Sequence, residues 1–178
     1  MALELNGTTG VSLVQDGVVT AADLASGAIT SAALPSGSVV AVRTYTNNTR
    51  TVLSDSSNTN YWTVTDAKTF GTETKIVVLA HIGAYGDYSG NLGNYISYDG
   101  TRSYSLDFTY TGQNQSHTAS GQATFTGLSS GNKTLQIGWQ TDNNNASDKP
   151  FKIFNPNSTE DNRQVQKVSH LTVFEVVV

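Results

Sequence analysis

Short segments that alternate apolar and polar residues follow one another from Ser38 to the end of the chain, separated by clusters of Gly, Asn, Ser and Asp that predict turns, among them Asp99–Gly100. Alternation with a period of two places every second side chain on one face of a strand, and the intervening residue types favour tight turns. Only 13% of the 178 residues are charged, against about 25% in an average domain, which leaves few residues for solvent-exposed helices. The pattern therefore predicts an all-β domain.

About eight strands can be counted in this region. Residues 38–46 alternate, residues 61–65 form a short strand, and residues 75–82 are apolar on both faces. Further along the chain, every second residue is apolar in three more segments. We expect each of these sets to share one face of a strand: Tyr104, Leu106, Phe108 and Tyr110; Leu135, Ile137 and Trp139; Leu171, Val173 and Val177. Antiparallel strands without a βαβ pattern favour a jelly-roll sandwich, and an immunoglobulin-like sandwich is the alternative.

A decapeptide repeat precedes the strands. Residues 18–27 (VVTAADLASG) align without a gap with residues 28–37 (AITSAALPSG). The apolar positions of the two units recur every five residues, at Val19, Leu24, Ile29 and Leu34. That spacing fits neither one amphipathic helix nor one strand, and two short units cannot enclose a core alone.

Three identical chains side by side would bury these four apolar positions around a common axis. The repeat therefore indicates a trimeric stem with Val19, Leu24, Ile29 and Leu34 as its core. The alternative is a flexible linker rich in Ala, Ser and Gly. We divide the chain into an attachment segment and stem, residues 1–37, and a β-sandwich head, residues 38–178.

Three segments carry a resemblance to known proteins: LNGTTGVSLVQDG near the start, GAITSAALPSGSV in the repeat, and SHLTVFEV near the end. They resemble segments of virion structural proteins of tailed bacteriophages, in particular tail fibres and related appendages of phages that infect marine bacteria and cyanobacteria. The apolar residues 75–82 resemble a core strand of the C-terminal domain of such proteins. The resemblance implies a jelly-roll head that trimerises in the manner of tumour necrosis factor and C1q domains.

The same resemblance implies a non-enzymatic tail fibre, a homotrimer whose N-terminal segment binds other virion proteins and whose head contacts a glycan or protein on the host surface. We expect it to be made in the host cytoplasm and exposed on the particle. One alternative is a capsid decoration or head-fibre protein that stabilises the shell. A small carbohydrate-binding module is a second alternative, although a monomeric module would have no use for the repeat.

Composition argues against several other classes of function. The chain has no Cys, which excludes disulfides, zinc–thiolate sites and thiol nucleophiles. Its formal net charge is -4, and it has no cluster of Lys and Arg, so we expect neither nucleic acid nor a membrane surface as partner. The first residues lack the basic and apolar regions of a signal peptide, and no run reaches the length of a membrane-spanning helix.

Neither a metal site nor a catalytic site is predicted from local motifs. His81, His117 and His170 have none of the usual ligand spacings, and we expect His81 to be an inward-facing or interface imidazole with one hydrogen-bond partner. Residues 142–148 contain Asp and Asn but do not match the calcium-loop template, so a solvated turn is the better interpretation. There is no Gly-x-Ser-x-Gly motif. We therefore expect no enzyme activity, no cofactor and no metal.

One glycine-rich segment, residues 83–95, combines tyrosines with Asn and Asp, and these residue types are common in adaptable binding surfaces. Tyrosine rings also stack on sugars. The alternative is a loop whose tyrosines cover the sandwich or contact the next subunit. The candidate receptor contacts are Tyr85, Asp87, Tyr88, Asn91, Asn94 and Tyr95.

Overall fold

A computed structural model describes residues 5–6, 10–11, 33–52, 59–86, 92–108, 115–141, 153–154 and 168–178. These residues form twelve strands. Their bounds are β1 (Leu5–Asn6), β2 (Gly10–Val11), β3 (Val39–Asn47), β4 (Thr51–Val52), β5 (Thr59–Lys68), β6 (Thr74–Gly86), β7 (Leu92–Tyr98), β8 (Thr101–Phe108), β9 (Gln115–Phe125), β10 (Gly131–Thr141), β11 (Ile153–Phe154) and β12 (Ser169–Val177).

Within the described residues, ten strands form one antiparallel sheet, and β1 pairs with β2 separately. The eight long strands lie in the order β3-β12-β6-β9-β8-β7-β10-β5, and β11 pairs with both β4 and β6. The sheet curves so that its two end strands approach each other. Arg43 on β3 donates a hydrogen bond to Asp66 on β5, which shows this approach. The result is a barrel-like sandwich that is nearly closed. The all-β prediction is confirmed.

The sandwich has two halves, β3-β12-β6-β9 and β8-β7-β10-β5, whose inner faces share one hydrophobic core. Tyr98 on β7 stacks on Phe125 on β9, with ring centroids 5.6 Å apart, and so joins the two halves. Tyr61 on β5 contacts Phe154 on β11, with centroids 4.9 Å apart. The largest fully buried apolar side chains are Tyr95, Tyr98, Phe154, Ile76, Ile82, Ile96, Leu135, Ile137 and Leu171.

Most of the predicted strands are present, and several are longer than their patterns indicate. β5 and β6 extend beyond residues 61–65 and 75–82 at both ends. The predicted inward positions that the structure buries are Leu135, Ile137, Leu171, Val173 and Val177. Trp139 and Phe108 lie on the predicted strands, whereas Tyr110 lies outside the described residues.

The prediction that Tyr104 and Leu106 share one face is wrong. Tyr104 is 57% exposed, whereas Leu106 is 6% exposed. The cause is an irregularity in the pairing of β8 with β7: Ser103 lies opposite Ile96, but Leu106 lies opposite Asn94. Three steps along β8 therefore match two along β7, which is a β-bulge, and the extra residue reverses the alternation. Tyr104 consequently points outward.

Two local features position β7, β8 and β9. Asp99 and Gly100, with φ of 50° and 86°, form the two-residue turn between β7 and β8, as the turn pattern predicts. Gly121 on β9 lies opposite Leu106, and a Cβ atom there would overlap the backbone carbonyl of Ser105. A glycine at position 121 thus permits the close approach of β9 to the bulged strand β8.

Candidate functional site

The predicted stem enters the head beside the end of β12. Leu34 is partly buried in the turn before β3. In that turn Gly37 N donates a hydrogen bond to Val177 O, and Val177 N donates one to Ser38 O, both at 2.9 Å. The other three predicted stem-core residues lie outside the described residues: Val19, Leu24 and Ile29.

Two of the predicted receptor-contact residues, Tyr85 and Asn94, lie on different strands of the sheet. Tyr85 lies near the end of β6 and pairs with Ile153, whereas Asn94 lies on β7 and pairs with Trp139. Because β6 and β7 belong to different halves and are not neighbours, these two residues lie on separate strand pairs. Three more candidates fall outside the described residues: Asp87, Tyr88 and Asn91.

Tyr95 is fully buried, which gives it a supporting role beneath other side chains. Its hydroxyl donates a 2.8 Å hydrogen bond to Asn60 Oδ1. The Arg102 guanidinium lies 4.3 Å from the Tyr95 ring centroid, and the Tyr104 ring meets Tyr95 edge-on at 5.8 Å. Burial is the largest influence on Tyr95 and raises its pKa above the ordinary value. We call Tyr95, Arg102 and Tyr104 the tyrosine–arginine patch. Arg102 and Tyr104 are its exposed members.

A charge cluster lies where the two ends of the sheet meet, and it is formed by the partly buried Arg43 and the buried Asp66, Lys68 and Glu175. Asp66 accepts hydrogen bonds from Arg43 Nε at 2.5 Å and from Arg43 Nη2 at 2.9 Å. The hydroxyls of Tyr45 and Tyr98 each donate to the same carboxylate at 2.5 Å. Each Asp66 oxygen thus accepts two hydrogen bonds although the residue has no solvent exposure.

Glu175 anchors the second part of the cluster and is also fully buried. The backbone amides of Thr69 and Phe70 donate to its carboxylate at 2.9 and 2.7 Å, and the Thr74 hydroxyl donates at 3.0 Å. Arg43 Nη1 and Lys68 Nζ lie 3.3 and 3.5 Å from its oxygens. Glu175 therefore ties β12 to the segment that connects β5 with β6.

The Lys68 ammonium also has a full set of hydrogen-bond partners. Its ammonium donates to the carbonyl oxygens of Phe70 and Gly71 at 2.6 and 2.5 Å, and to Thr74 Oγ1 at 2.7 Å. Three donors with three neutral acceptors satisfy an ammonium group completely. The cluster balances two cations against two carboxylates, and this neutrality offsets much of the cost of burial.

Hydrogen bonding decides the protonation states in the cluster. Burial by itself would raise the pKa of Asp66, but the hydrogen bonds from Arg43, Tyr45 and Tyr98 outweigh it and hold the pKa below its ordinary value of 3.8. In the same way, the donors around Glu175 overcome burial and keep its pKa below 4.5. Burial and the hydrogen bond to Asp66 raise the pKa of Tyr45 to about 12.

Such perturbed carboxylates are typical of active sites, yet the geometry here fits a structural role better. Asp66 and Glu175 are ionised at neutral pH, and neither has solvent exposure. Their oxygens already accept hydrogen bonds from several protein donors. A general acid or base must reach a substrate proton. The cluster instead fastens the end strands of the sheet.

The outer faces of the two halves differ in polarity. Val39, Val42 and Leu79 are 41–55% exposed, and all three lie on β3 or β6. The partly buried Phe174 and Val77 lie between Val42 and β9 in the same cross-strand row. Among the strand residues of the other half whose exposure the structure describes, Tyr104 is the one large exposed hydrophobic. We call the outer face of β3-β12-β6-β9 the apolar face, although exposed threonines, a serine and a glutamine also lie on it.

A histidine pair lies at one end of the apolar face. His81 on β6 and His170 on β12 are directly opposite each other, and both are exposed. The expected hydrogen-bond partner of His81 is present, since Ser120 Oγ lies 3.2 Å from its Nδ1. The inward-facing alternative for His81 is wrong, and the interface alternative stays a prediction. Local spacing missed this pair because only the register of β12 against β6 brings the two residues together.

In the part of the chain that the structure describes, no group of three or more His, Asp and Glu is placed to hold a metal ion, and no helix is long and apolar enough to cross a membrane. Comparison of the sequence with models of protein families and with curated proteins finds no match.

Replacing Arg43 with Met removes the shared cation of the two carboxylates. Breaking a buried ion pair from one side leaves uncompensated charge, and we expect the free energy of unfolding to fall by about 3–5 kcal/mol. Urea denaturation at neutral pH measures this. Lys133→Met is the matched control, because Lys133 pairs with the exposed Asp99 and its loss should cost at most about 1 kcal/mol. Equal losses for both variants would contradict a special role for the cluster.

Stability should also fall in acid. The folded-state pKa values of Asp66 and Glu175 lie below their ordinary values of 3.8 and 4.5, so their contribution is present above those values and is lost as the pH drops through the lower folded-state values. Urea denaturation between pH 7 and pH 2 should therefore show a stable plateau above about pH 5 and a decline below it.

The Asp66→Asn variant should show a shallower decline in acid, whereas Asp99→Asn, at an exposed site, should retain the wild-type slope. An identical acid profile for wild type and Asp66→Asn would show that Asp66 does not contribute to the pH dependence.

Proposed function

We propose that the chain is a non-enzymatic virion structural protein, a homotrimeric tail-fibre-type appendage that attaches to the particle through residues 1–37 and contacts the host surface through its head. The observation that carries the proposal is the contrast between the two outer faces of the sandwich. One face exposes Val39, Val42 and Leu79, while the other exposes the polar tyrosine–arginine patch. In the proposed fibre head, the first surface would make contacts between copies and the second would face the host.

The strand order supports a jelly roll as the finer fold of the head. Taken in chain order, the eight long strands place the first beside the last and the third beside the sixth in one half. In the other half, the second lies beside the seventh and the fourth beside the fifth. Two four-stranded sheets with these pairs constitute the double Greek key of a jelly roll. Jelly-roll heads after a repeat stem fit the tail-fibre resemblance of the sequence.

The apolar face supports contacts between copies of the head. Contiguous apolar surface is uncommon on soluble monomers and marks interaction sites. The stem repeat independently calls for partners of the same sequence, since its Ile29 and Leu34 positions have no core of their own. Three heads that turn their apolar faces toward a common axis would bury Val42 and Leu79 and leave Tyr104 and Arg102 pointing outward.

Host contact through several weak sites is consistent with this arrangement. Arg102 and Tyr104 combine a cation with an aromatic ring, a pairing that is common at binding hot spots and suits both glycans and proteins. Three copies in one fibre, and several fibres on one particle, convert modest single-site affinity into firm attachment. The virion surface is the location that this function requires.

The oligomeric state tests the assembly. The full-length chain should have the native mass of a trimer in light scattering after gel filtration. Leu79→Lys introduces a charge into the apolar face and should shift the mass toward the monomer, because a desolvated charge without a partner is costly. Thr65→Lys, at an exposed position on the other half, should remain trimeric. A monomeric wild type would overturn the proposal and favour a carbohydrate-binding module.

The stem contributes a second, separable test of the same assembly. Ile29→Asp would bring three carboxylates together around the axis and should lower the melting temperature of the trimer. An unchanged mass and melting temperature would favour the flexible linker instead, with the trimer held by the heads alone.

Attachment assays test the role on the particle. Labelled full-length protein should bind host cells, and Tyr104→Ala should weaken this binding about tenfold, as expected for one aromatic contact worth above 1 kcal/mol. Lys133→Met, with its folding checked, is the control. Tyr88→Ala tests the predicted loop in the same way. Binding to particles stripped of the protein, without binding to cells, would favour a capsid decoration.

A further inference from the structure

The row that contains the histidine pair crosses four adjacent strands. Thr46 on β3 lies opposite His170 on β12, His170 lies opposite His81 on β6, and His81 lies opposite Ser120 on β9. Directly opposed residues of an antiparallel pair have Cβ atoms about 4.5–5.5 Å apart on the same face. Two exposed imidazoles therefore stand side by side, with a hydroxyl residue on each flank.

The two flanking hydroxyls contact the same ring nitrogen, Nδ1, in each histidine. Ser120 Oγ lies 3.2 Å from Nδ1 of His81, and Thr46 Oγ1 lies 3.4 Å from Nδ1 of His170. Both contacts thus turn Nδ1 away from the neighbouring imidazole. In an imidazole ring Nε2 lies on the side opposite Nδ1, so the two Nε2 atoms lie on the facing sides of the rings. When Nδ1–H donates to the hydroxyl oxygen, Nε2 carries the lone pair that can bind a metal ion.

We propose that His81 and His170 form a two-imidazole binding site for a divalent transition-metal cation such as Zn²⁺, ligated by Nε2 of each ring and by water at its remaining positions. Imidazole nitrogen suits Zn²⁺, Cu²⁺ and Ni²⁺, whereas Ca²⁺ and Mg²⁺ prefer oxygen ligands. Two Zn–N bonds of about 2.0–2.1 Å at a tetrahedral angle require Nε2 atoms about 3.3 Å apart, which side chains on directly opposed residues can reach.

The hydroxyls of Ser120 and Thr46 act as positioning groups in this site. Outer partners that hold a ligating His in one tautomer and one orientation raise metal affinity, and their loss typically costs about 10–100-fold. Here each imidazole has its own hydroxyl, on the strand that flanks it. A metal ion bound here would also link β12 to β6 on the outer face, near the start of β12. Glu175 anchors β12 on the inner face, near its other end.

Because the two histidines come together only in the folded sheet, metal binding should be linked to folding. Titration calorimetry of the full-length protein with zinc chloride at neutral pH should show one ion per chain. Zinc should also raise the urea midpoint of unfolding, and magnesium chloride should do neither. NMR of the imidazole nitrogens should report the perturbation at Nε2 of both rings.

Variants separate the proposed site from other histidine chemistry. His81→Gln and His170→Gln should each weaken zinc binding by more than the about 10–100-fold loss that is typical of an outer partner, and Ser120→Ala should fall within that range. His117→Gln lowers the histidine count but leaves the pair intact, and Gln122→Ala alters an exposed neighbour on the same face. Both should bind zinc as the wild type does.

Zinc binding that survives His81→Gln, or that His117→Gln abolishes, would overturn the proposal. So would the absence of any binding at millimolar zinc to folded wild-type protein. The urea midpoint without zinc, measured for every variant, distinguishes loss of the site from loss of the fold.

Discussion

The charge cluster of Arg43, Asp66, Lys68 and Glu175 is the constraint on which the rest of the sandwich depends. The strands at the two ends of the sheet, β3 and β5, are not paired with each other in the strand order, so side chains must close the gap between them. The Arg43 guanidinium does so by contacting both buried carboxylates. A hydrophobic pair could fill the same space, but it would not discriminate between alternative alignments of the strands. A shift of β12 by one residue would turn Glu175 outward and Phe174 inward, which would separate Glu175 from Arg43 and Lys68 and leave Asp66 as the one carboxylate of the cluster bonded to Arg43.

Because the sheet is nearly closed, the inner faces of both halves pack into the core, and each half has one outer face. The residues on the two outer faces can therefore differ in chemical character. The apolar face collects Val42, Leu79 and the partly buried Phe174, while the opposite half carries Tyr104 and Arg102. The proposed trimer would bury the first surface and expose the second. The proposed stem, in a separate part of the chain, would bring in partners of the same sequence.

Much of the fold could be predicted from the sequence, because period-two alternation and turn residues are local signals. They predicted the main strands, the Asp99–Gly100 turn and inward residues such as Ile137. The sites were harder to predict. Asp66 and Glu175 look like ordinary polar positions until long-range pairing buries them, and His81 meets His170 only through the register of β12 against β6. No local spacing rule can report such contacts, since they depend on strands that are distant in the chain.

Bulges explain the remaining differences between the predicted and the observed faces of the strands. In β5, Ile137 lies opposite Trp62 and Gly138 lies opposite Asn60, so the extra residue Tyr61 is buried together with Trp62. In β8 the extra residue has the opposite effect and moves Tyr104 from an expected core position to the surface. There it lies against Tyr95, whose own ring is covered by Arg102. In a regular β8, Tyr104 and Leu106 would share one face, as the alternation predicts. The bulge instead lets Leu106 pack in the core while Tyr104 is exposed.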